Sequence, residues 1–148
     1  MILNRQRKVR FSRGLLESFL RRVQTELGLG EAQITICLVS DAEIARMNEE
    51  FRKKKGATDV LSFPAARRRK PLRRRQGTPG LENEELGDIA IAPGVAQSNA
   101  RKNKNTLPIE LQILILHGVL HLLGYDHETD HGEMDRAERR LRKRLGLT

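Results

Sequence analysis

The most apolar segment of the chain is Ile109-Glu-Leu-Gln-Ile-Leu-Ile-Leu-His117-Gly-Val-Leu-His121-Leu-Leu123. Pro108 before it and Gly124 after it are typical of the first position of a helix and of the position just past its end. Its side chains are hydrophobic nearly all round, which is typical of a helix that is buried on every side. The sequence therefore predicts one central helix, around which the other elements pack.

The segments before the central helix predict alternating helices and strands. Ser12 can cap a first helix, because its hydroxyl can accept a hydrogen bond from the backbone. The apolar face of that helix consists of Leu15, Phe19, Val23 and Leu27. Gln33–Leu38 alternates and is β-branched, which indicates a strand, and Ser40 with Glu43 forms a capping box that opens a second helix. The apolar residues of the second helix are Ile44, Met47 and Phe51.

Two further strands and two further helices complete the predicted elements. Residues 60–63 are a strand that Pro64 ends, and residues 88–92 are a strand that Pro93 ends. Pro93 is also suited to start a helix. After the central helix, an amphipathic helix is predicted over about residues 129–145. Its inward residues are Met134, Ala137 and Leu141, and its outward residues include Arg136, Arg139, Arg140, Arg142, Lys143 and Arg144.

All the histidines of the chain lie between positions 117 and 131. His117 and His121 are four residues apart on the central helix, so their imidazoles lie on one face, as two ligands of one metal ion require. Gly124 then turns the chain, and His127 can return to the same ion. Three histidine ligands leave a fourth position for water, which is typical of a catalytic zinc site.

The spacing of His117, His121, Gly124 and His127 is also that of the metzincin proteases. In those proteases a glutamate follows the first histidine and acts as general base, but here that position is Gly118. Glu133 is the carboxylate that could stand in for it. His131 is expected to be an exposed surface residue, although it is also the one candidate for a fourth ligand. Asp126 either orients a ligand histidine or caps the last helix.

The charge of the chain favours a polyanionic partner. Its 28 Lys and Arg outnumber 19 Asp and Glu, which gives a formal net charge of +9 and a pI near 10.4. A basic, Pro- and Gly-containing segment at about residues 65–83 is expected to be a flexible loop. The single cysteine, Cys37, and the lack of a membrane span or an apolar leader indicate a cytoplasmic protein.

Three motifs resemble the YbeY family of bacterial rRNA maturation factors, which are described as metal-dependent endoribonucleases. They are His-Gly-Val-Leu-His-Leu-Leu-Gly-Tyr-Asp-His (117–127), Asn48-Glu-Glu-Phe-Arg52 followed by Thr58-Asp-Val-Leu-Ser-Phe-Pro64, and Leu86-Gly-Asp-Ile-Ala-Ile91. They occur in the family's order from about residue 30 to the end. The sequence departs from the family at Ala57, where proline is frequent, and in the Arg-rich segment.

This resemblance implies a single small α+β domain over residues 1–148, with a mixed sheet of about four strands packed by about five helices. It implies a metal site at the end of the central helix, with one zinc or similar ion held by His117, His121 and His127. Arg52 and His117 are the expected catalytic residues, because a guanidinium at position 52 could hold a phosphate. Ser62 and Asp88 also match family positions, but hydrogen bonding and packing explain both.

The resemblance also implies cleavage of single-stranded RNA near the 3′ end of small-subunit (16S) rRNA, with the small ribosomal subunit and ribosome-associated proteins as partners. The basic residues expected to bind RNA are Arg67, Arg68, Arg69, Lys70, Arg73, Arg74 and Arg75. The nucleophile is either water on the metal or the 2′-hydroxyl of the RNA. The alternatives are a non-catalytic rRNA-binding assembly factor with a structural metal and, less favoured, a metalloprotease.

Overall fold

The computed structural model describes residues 1–65 and 84–148. These residues form an α+β fold of five helices and one mixed four-stranded sheet, as the family resemblance implies. In chain order the elements are β1 (Ile2–Asn4), α1 (Arg13–Glu26), β2 (Gln33–Leu38), α2 (Asp41–Arg52), β3 (Val60–Pro64), β4 (Glu85–Ile91), α3 (Pro93–Lys102), α4 (Leu107–Leu122) and α5 (Glu133–Arg144). No helix in these two ranges is both long enough and apolar enough to cross a membrane.

The strands lie side by side in the order β1-β2-β4-β3. β1, β2 and β4 are parallel, and β3 runs antiparallel to β4 at the edge of the sheet. β1 is absent from the elements that the sequence pattern predicts. It has three residues and buries one side chain, Ile2, which is too short a pattern to be recognised as an alternating strand. Only its pairing with β2, through Ile2 and Ile36, defines it as a strand.

The two faces of the sheet are covered by different helices. On one face β2 and β4 contribute Ile36 and Ile89 to the main core, which α1, α4 and α5 complete. On the other face a smaller cluster, with Ile44 of α2 and Leu61 of β3 among its members, packs beneath α2. The alternation of β2 places Ile34, Ile36 and Leu38 in the main core, whereas Cys37 of the same strand packs against the smaller cluster.

The central helix α4 is buried as predicted, and it approaches the sheet closely at Gly118. A Cβ atom at this position would lie 2.8 Å from Cγ2 of Ile89, which is fully buried in β4. The hydroxyl of Ser62 in β3 donates a hydrogen bond to the carbonyl oxygen of Gly118 at 3.1 Å. The close approach explains the glycine, because any larger side chain would push the helix away from the strand.

The two predicted serine caps are confirmed: Ser12 and Ser40 accept hydrogen bonds from the backbone of Leu15 and Glu43. The carboxylate of Glu43 pairs with Arg5 at 3.0 Å, so only the serine half of the predicted capping box is confirmed. Two residues that the sequence pattern places on the buried face of a helix are exposed instead, so that part of the prediction is wrong. Leu15 is 41% exposed, because Leu16 and Leu20 take the inward face of α1, and Phe51 is 62% exposed.

The last helix begins later than predicted, at Glu133 instead of about residue 129. Residues 127–132 form turns that end at Gly132, whose φ of +94° is incompatible with a right-handed helix. The carboxylate of Asp130 accepts hydrogen bonds from the backbone of Gly132 and Met134. Gly132 is the N-cap residue of α5, and the carboxylate of Asp130, not that of Asp126, accepts from the first turn of the helix.

Candidate metal centre

The three histidines with the predicted ligand spacing lie together where the central helix ends. His117 and His121 lie on the last turns of α4, and His127 lies on the loop that follows. Gly124 has a φ of +101°, and the backbone N–H groups of Gly124 and Tyr125 donate to the carbonyl oxygens of His121 and Leu120. This left-handed glycine turn reverses the chain and returns His127 to the helix.

The distances within this histidine cluster fit a single ion. One ring nitrogen from each of the three residues lies within 4.8 Å of the others. Nε2 of His121 is 3.1 Å from Nε2 of His117. Two nitrogen ligands of a tetrahedral zinc ion, at about 2.0–2.1 Å from the metal, are about 3.3 Å apart. The donor set therefore suits a small divalent ion, and three donors leave a tetrahedral position for a further ligand.

The three histidines of the cluster differ in their exposure to solvent. His117 and His121 are half-buried, whereas His127 is exposed. The pKa of His121 is lowered, first by burial and then by the neighbouring imidazoles of His117 and His127. A lowered pKa keeps the imidazole neutral, and the neutral form is the one that carries a lone pair for a metal.

A carboxylate on α5 orients the first histidine. Oε1 of Glu138 lies 3.1 Å from Nδ1 of His117, and its other oxygen lies 3.6 Å from a guanidinium nitrogen of Arg142. Burial raises the pKa of Glu138, but the hydrogen bond from His117 and the charges of His117 and Arg142 more than offset it, so the net pKa is lowered. An ionised Glu138 accepts a hydrogen bond from Nδ1–H, which leaves the lone pair of His117 on Nε2, the nitrogen that faces the cluster.

Glu138 is a residue of the site that the sequence pattern does not predict. It lies 21 residues from His117 and contacts it only because α5 packs against α4. The sequence carries one signal for it. Glu138 is an acidic residue directly after the inward-facing Ala137, in a helix whose exposed residues are mostly basic.

The loop that carries His127 is shaped by backbone hydrogen bonds. The side chain of Asp126 accepts from the backbone N–H of Glu128, and its carbonyl oxygen accepts from Thr129 and Asp130. Asp126 therefore supports the turn after His127, a role different from either of the two that the sequence suggests.

His131 and Glu133 lie outside the histidine cluster. The side chain of His131 is exposed, and its backbone N–H donates to the carboxylate of Glu133. Among residues 1–65 and 84–148, the cluster that could hold a metal consists of His117, His121 and His127 alone. This arrangement disfavours both a four-ligand structural site and a protease base at Glu133.

Arg52 contacts the loop that carries the third histidine. It is the last residue of α2, and its guanidinium lies 3.6 Å from Oε1 of Glu128. The ammonium of Lys54 lies 3.8 Å from the same oxygen. Glu128 directly follows His127 in the chain, so two cations meet at the residue next to the third histidine. All three side chains are largely exposed, and such an ion pair adds less than about 1 kcal/mol to stability.

The other predicted RNA-binding residues lie outside the described residues. They are Arg67, Arg68, Arg69, Lys70, Arg73, Arg74 and Arg75. The basic residues of α5 are described, and those outside the Glu138 contact are exposed, as at Arg139, Arg140 and Lys143.

A comparison with protein families decides the identity of this fold and site. The family model described as endoribonuclease YbeY matches residues 1–146. The chain belongs to the YbeY family.

Relatives agree with this assignment. The YbeY of Solibacter usitatus, named an endoribonuclease, is 47% identical over 135 residues, which cover 91% of this chain and 80% of that protein. The YbeY of Koribacter versatilis, with the same name, is 40% identical over 147 residues, which cover 99% of this chain and 86% of that protein. A solution structure from Thermotoga maritima matches with a TM-score of 0.62 and 28% identity, covering 98% of this chain and 89% of that one.

Proposed function

We propose that this chain is a single-domain, metal-dependent endoribonuclease that cleaves single-stranded RNA in rRNA maturation. One observation carries the proposal: a three-histidine cluster, in a chain of the YbeY family, lies next to a carboxylate that two cations already contact. The substrate that matches such an arrangement is a phosphodiester, which places an anionic oxygen near the cations and a scissile bond near the cluster.

The proposed metal ligands are Nε2 of His117, Nε2 of His121 and a ring nitrogen of His127, with one zinc or similar ion per chain. The donor chemistry suits this ion, because three neutral imidazoles and an open position are typical of catalytic zinc. An ion held there supplies Lewis-acid chemistry: it lowers the pKa of water and polarises a phosphoryl oxygen. Glu138 fixes the tautomer of His117, because its carboxylate accepts a hydrogen bond from Nδ1–H.

Arg52 is proposed to hold the phosphate of the substrate. In the free protein its guanidinium is 3.6 Å from Glu128, and that exposed contact is weak enough for a phosphate to displace it. The guanidinium can then donate two parallel hydrogen bonds to the phosphate oxygens and offset the charge that develops during cleavage. His117, as the best-oriented member of the cluster, is the second proposed catalytic residue.

Electrostatic attraction is proposed to deliver the RNA. The net charge of +9 includes two basic runs, at residues 67–75 and 136–144, on either side of the histidine cluster in sequence. Neutralised phosphates make binding fall steeply with salt. Replacing Arg73, Arg74 and Arg75 is expected to weaken the binding of many RNAs alike without changing metal affinity.

The proposed substrate is the 3′ end of small-subunit rRNA, in the cytoplasm, with the small ribosomal subunit and its associated proteins as partners. Two observations disfavour the alternatives. A structural metal has four protein ligands as a rule, whereas the described cluster has three. A protease base after the first histidine has no room, because Gly118 packs on Ile89.

The test is cleavage of a single-stranded rRNA precursor by protein of known metal content, with and without a chelator. Arg52→Ala is expected to retain metal and lose cleavage. Arg46→Ala, an exposed arginine on the same helix, is the matched control and should cleave normally. A 2′,3′-cyclic phosphate on the product means attack by the 2′-hydroxyl. An Arg52→Ala variant that cleaves at the wild-type rate would remove Arg52 from the site.

A further inference from the structure

One aromatic ring of the protein is presented to solvent. All five aromatic residues of the chain, four Phe and one Tyr, lie in the described ranges. Four of them are buried or half-buried, whereas Phe51 is 62% exposed. The helical spacing of Ile44, Met47 and Phe51 predicts that all three face the core. In the structure Ile44 is buried and Met47 is half-buried, whereas Phe51 is not. An exposed hydrophobic residue is common by itself, so its surroundings decide what it means.

The exposed ring is held in a fixed orientation. Phe51 contacts Phe63 of the edge strand β3, with the ring centres 5.2 Å apart and the planes at 75°. Phe63 is itself partly buried against the cluster beneath α2. This edge-to-face contact restricts the motion of the Phe51 ring without covering it. The ring is therefore both ordered and accessible, as a stacking surface must be.

Basic residues directly follow Phe51 in the sequence. Phe51 is followed by Arg52, Lys53, Lys54 and Lys55, all of which are exposed. Arg52 and Lys54 converge on one oxygen of Glu128, at 3.6 and 3.8 Å. A phosphate oxygen has the charge and the hydrogen-bonding capacity to take the place of that carboxylate oxygen. Glu128 follows His127 in the chain, so Arg52 and Lys54 contact the residue next to the third histidine.

We propose that Phe51 is a base-stacking site for single-stranded RNA, which holds the nucleotide next to the phosphate bound by Arg52 and Lys54. This inference rests on the proposed endoribonuclease function and adds a contact to a base. Stacking on an aromatic ring accepts any base, because every base has a π-face. It favours single strands, because the bases of a duplex are already stacked on one another. Phe51 would thus help to set the strand preference of the enzyme.

The chain has no tryptophan, so a Phe51→Trp variant carries a single fluorescent reporter at the proposed site. Leu15→Trp is the matched control, because Leu15 is an exposed apolar residue on a different helix, α1. Both variants are titrated with a single-stranded RNA oligonucleotide in chelator, so that the RNA is not cut. We expect quenching that saturates for Phe51→Trp, no change for Leu15→Trp, and no quenching of either by duplex RNA.

Affinity measurements complete the test. Phe51→Leu is expected to weaken binding of the single strand by about 5- to 50-fold, while Phe51→Tyr binds like the wild type. A series of oligonucleotides, each with one abasic nucleotide at a different position, locates the stacked base. We expect one position at which the missing base weakens binding to the wild-type protein but not to Phe51→Leu. Thermal unfolding and metal affinity of both variants should match the wild type, since the ring is largely exposed.

Three outcomes would overturn the proposal. If the RNA saturates Phe51→Trp without quenching, or if Phe51→Leu binds as tightly as the wild type, Phe51 does not stack on a base. If Phe51→Leu loses duplex binding equally, the ring does not select single strands. In each case cleavage by the wild-type protein would leave the endoribonuclease proposal intact. If the wild-type protein neither binds nor cuts the RNA, both proposals fail.

Discussion

Nδ1 of His117 lies 3.1 Å from Oε1 of Glu138, a contact that joins the central helix α4 to the last helix α5. The contact makes α5 part of the histidine cluster, although α5 contributes no histidine to it. A carboxylate in this position fixes which ring nitrogen carries the proton and raises the basicity of the other.

Removal of this carboxylate should therefore weaken metal binding. We expect Glu138→Ala to lower the affinity for zinc by about 10- to 100-fold, measured by competition with a chromophoric chelator. Glu26→Ala is the matched control, because Glu26 forms an ion pair between α1 and α5, with Arg144 at 2.8 Å, and does not contact the histidines. Equal zinc affinity in Glu138→Ala and the wild type would show that Glu138 does not orient a ligand.

We expect Glu128 to compete with RNA for Arg52 and Lys54, because its carboxylate contacts both cations. Glu128→Gln removes the competing charge, so we expect RNA affinity at low salt to rise by about 2- to 5-fold. The gain should disappear in an Arg52→Ala background, which a double-mutant cycle measures. Glu31→Gln, at an exposed residue between α1 and β2, changes the net charge equally and is expected to have a smaller effect. A gain of the same size with and without Arg52 would argue against the competition.

The close approach of α4 to β4 should be visible in stability. A Cβ at position 118 would lie 2.8 Å from Ile89, so Gly118→Ala overpacks the core, which offsets the better helix propensity of alanine. We expect a net loss of about 1 kcal/mol in the free energy of unfolding by urea. Gly14→Ala in α1, where no atom lies within 4 Å of the new Cβ, should be neutral or stabilising. A Gly118→Ala variant at least as stable as the wild type would contradict the packing.

The metal-free protein should lose stability in mild acid. The pKa of His121 is lowered by burial and by the two neighbouring imidazoles, so the unfolded chain binds its proton more readily than the folded protein. This part of the stability is present in full above about pH 6.5 and falls as the pH drops below it. Urea unfolding in chelator between about pH 8 and about pH 5 measures the fall. The fall should be shallower in His121→Gln and unchanged in His131→Gln, whose histidine is exposed; equal slopes in all three proteins would refute the expectation.

The features of the fold that the sequence predicted are those with local causes. The serine hydroxyls at positions 12 and 40 act within their own helix turns, and the apolar run of α4 is visible without knowing its neighbours. β1 escaped prediction because it exists only through pairing with β2. Phe51 was misplaced because helical spacing says which residues share a face, but not how far the core extends along the helix.

The candidate site follows the same division. The spacing of His117, His121 and His127 depends on one helix and one glycine turn, so sequence alone brought the three together. Glu138 and Glu128 could not be found in this way. Glu138 contacts His117 because α5 packs on α4. Glu128 lies on the loop after α4 and contacts Arg52 at the end of α2. Both contacts are tertiary and leave no periodic trace.

The most direct measurement is a titration of the metal-free protein with zinc while the cleavage rate of a single-stranded rRNA precursor is followed. We expect the rate to rise in proportion to bound zinc and to level off at about one ion per chain, as a single three-histidine site requires. The His121→Ala variant should show neither the rise nor tight zinc binding. Cleavage that is independent of added zinc, or that persists in His121→Ala at the wild-type rate, would contradict a catalytic role for the histidine cluster.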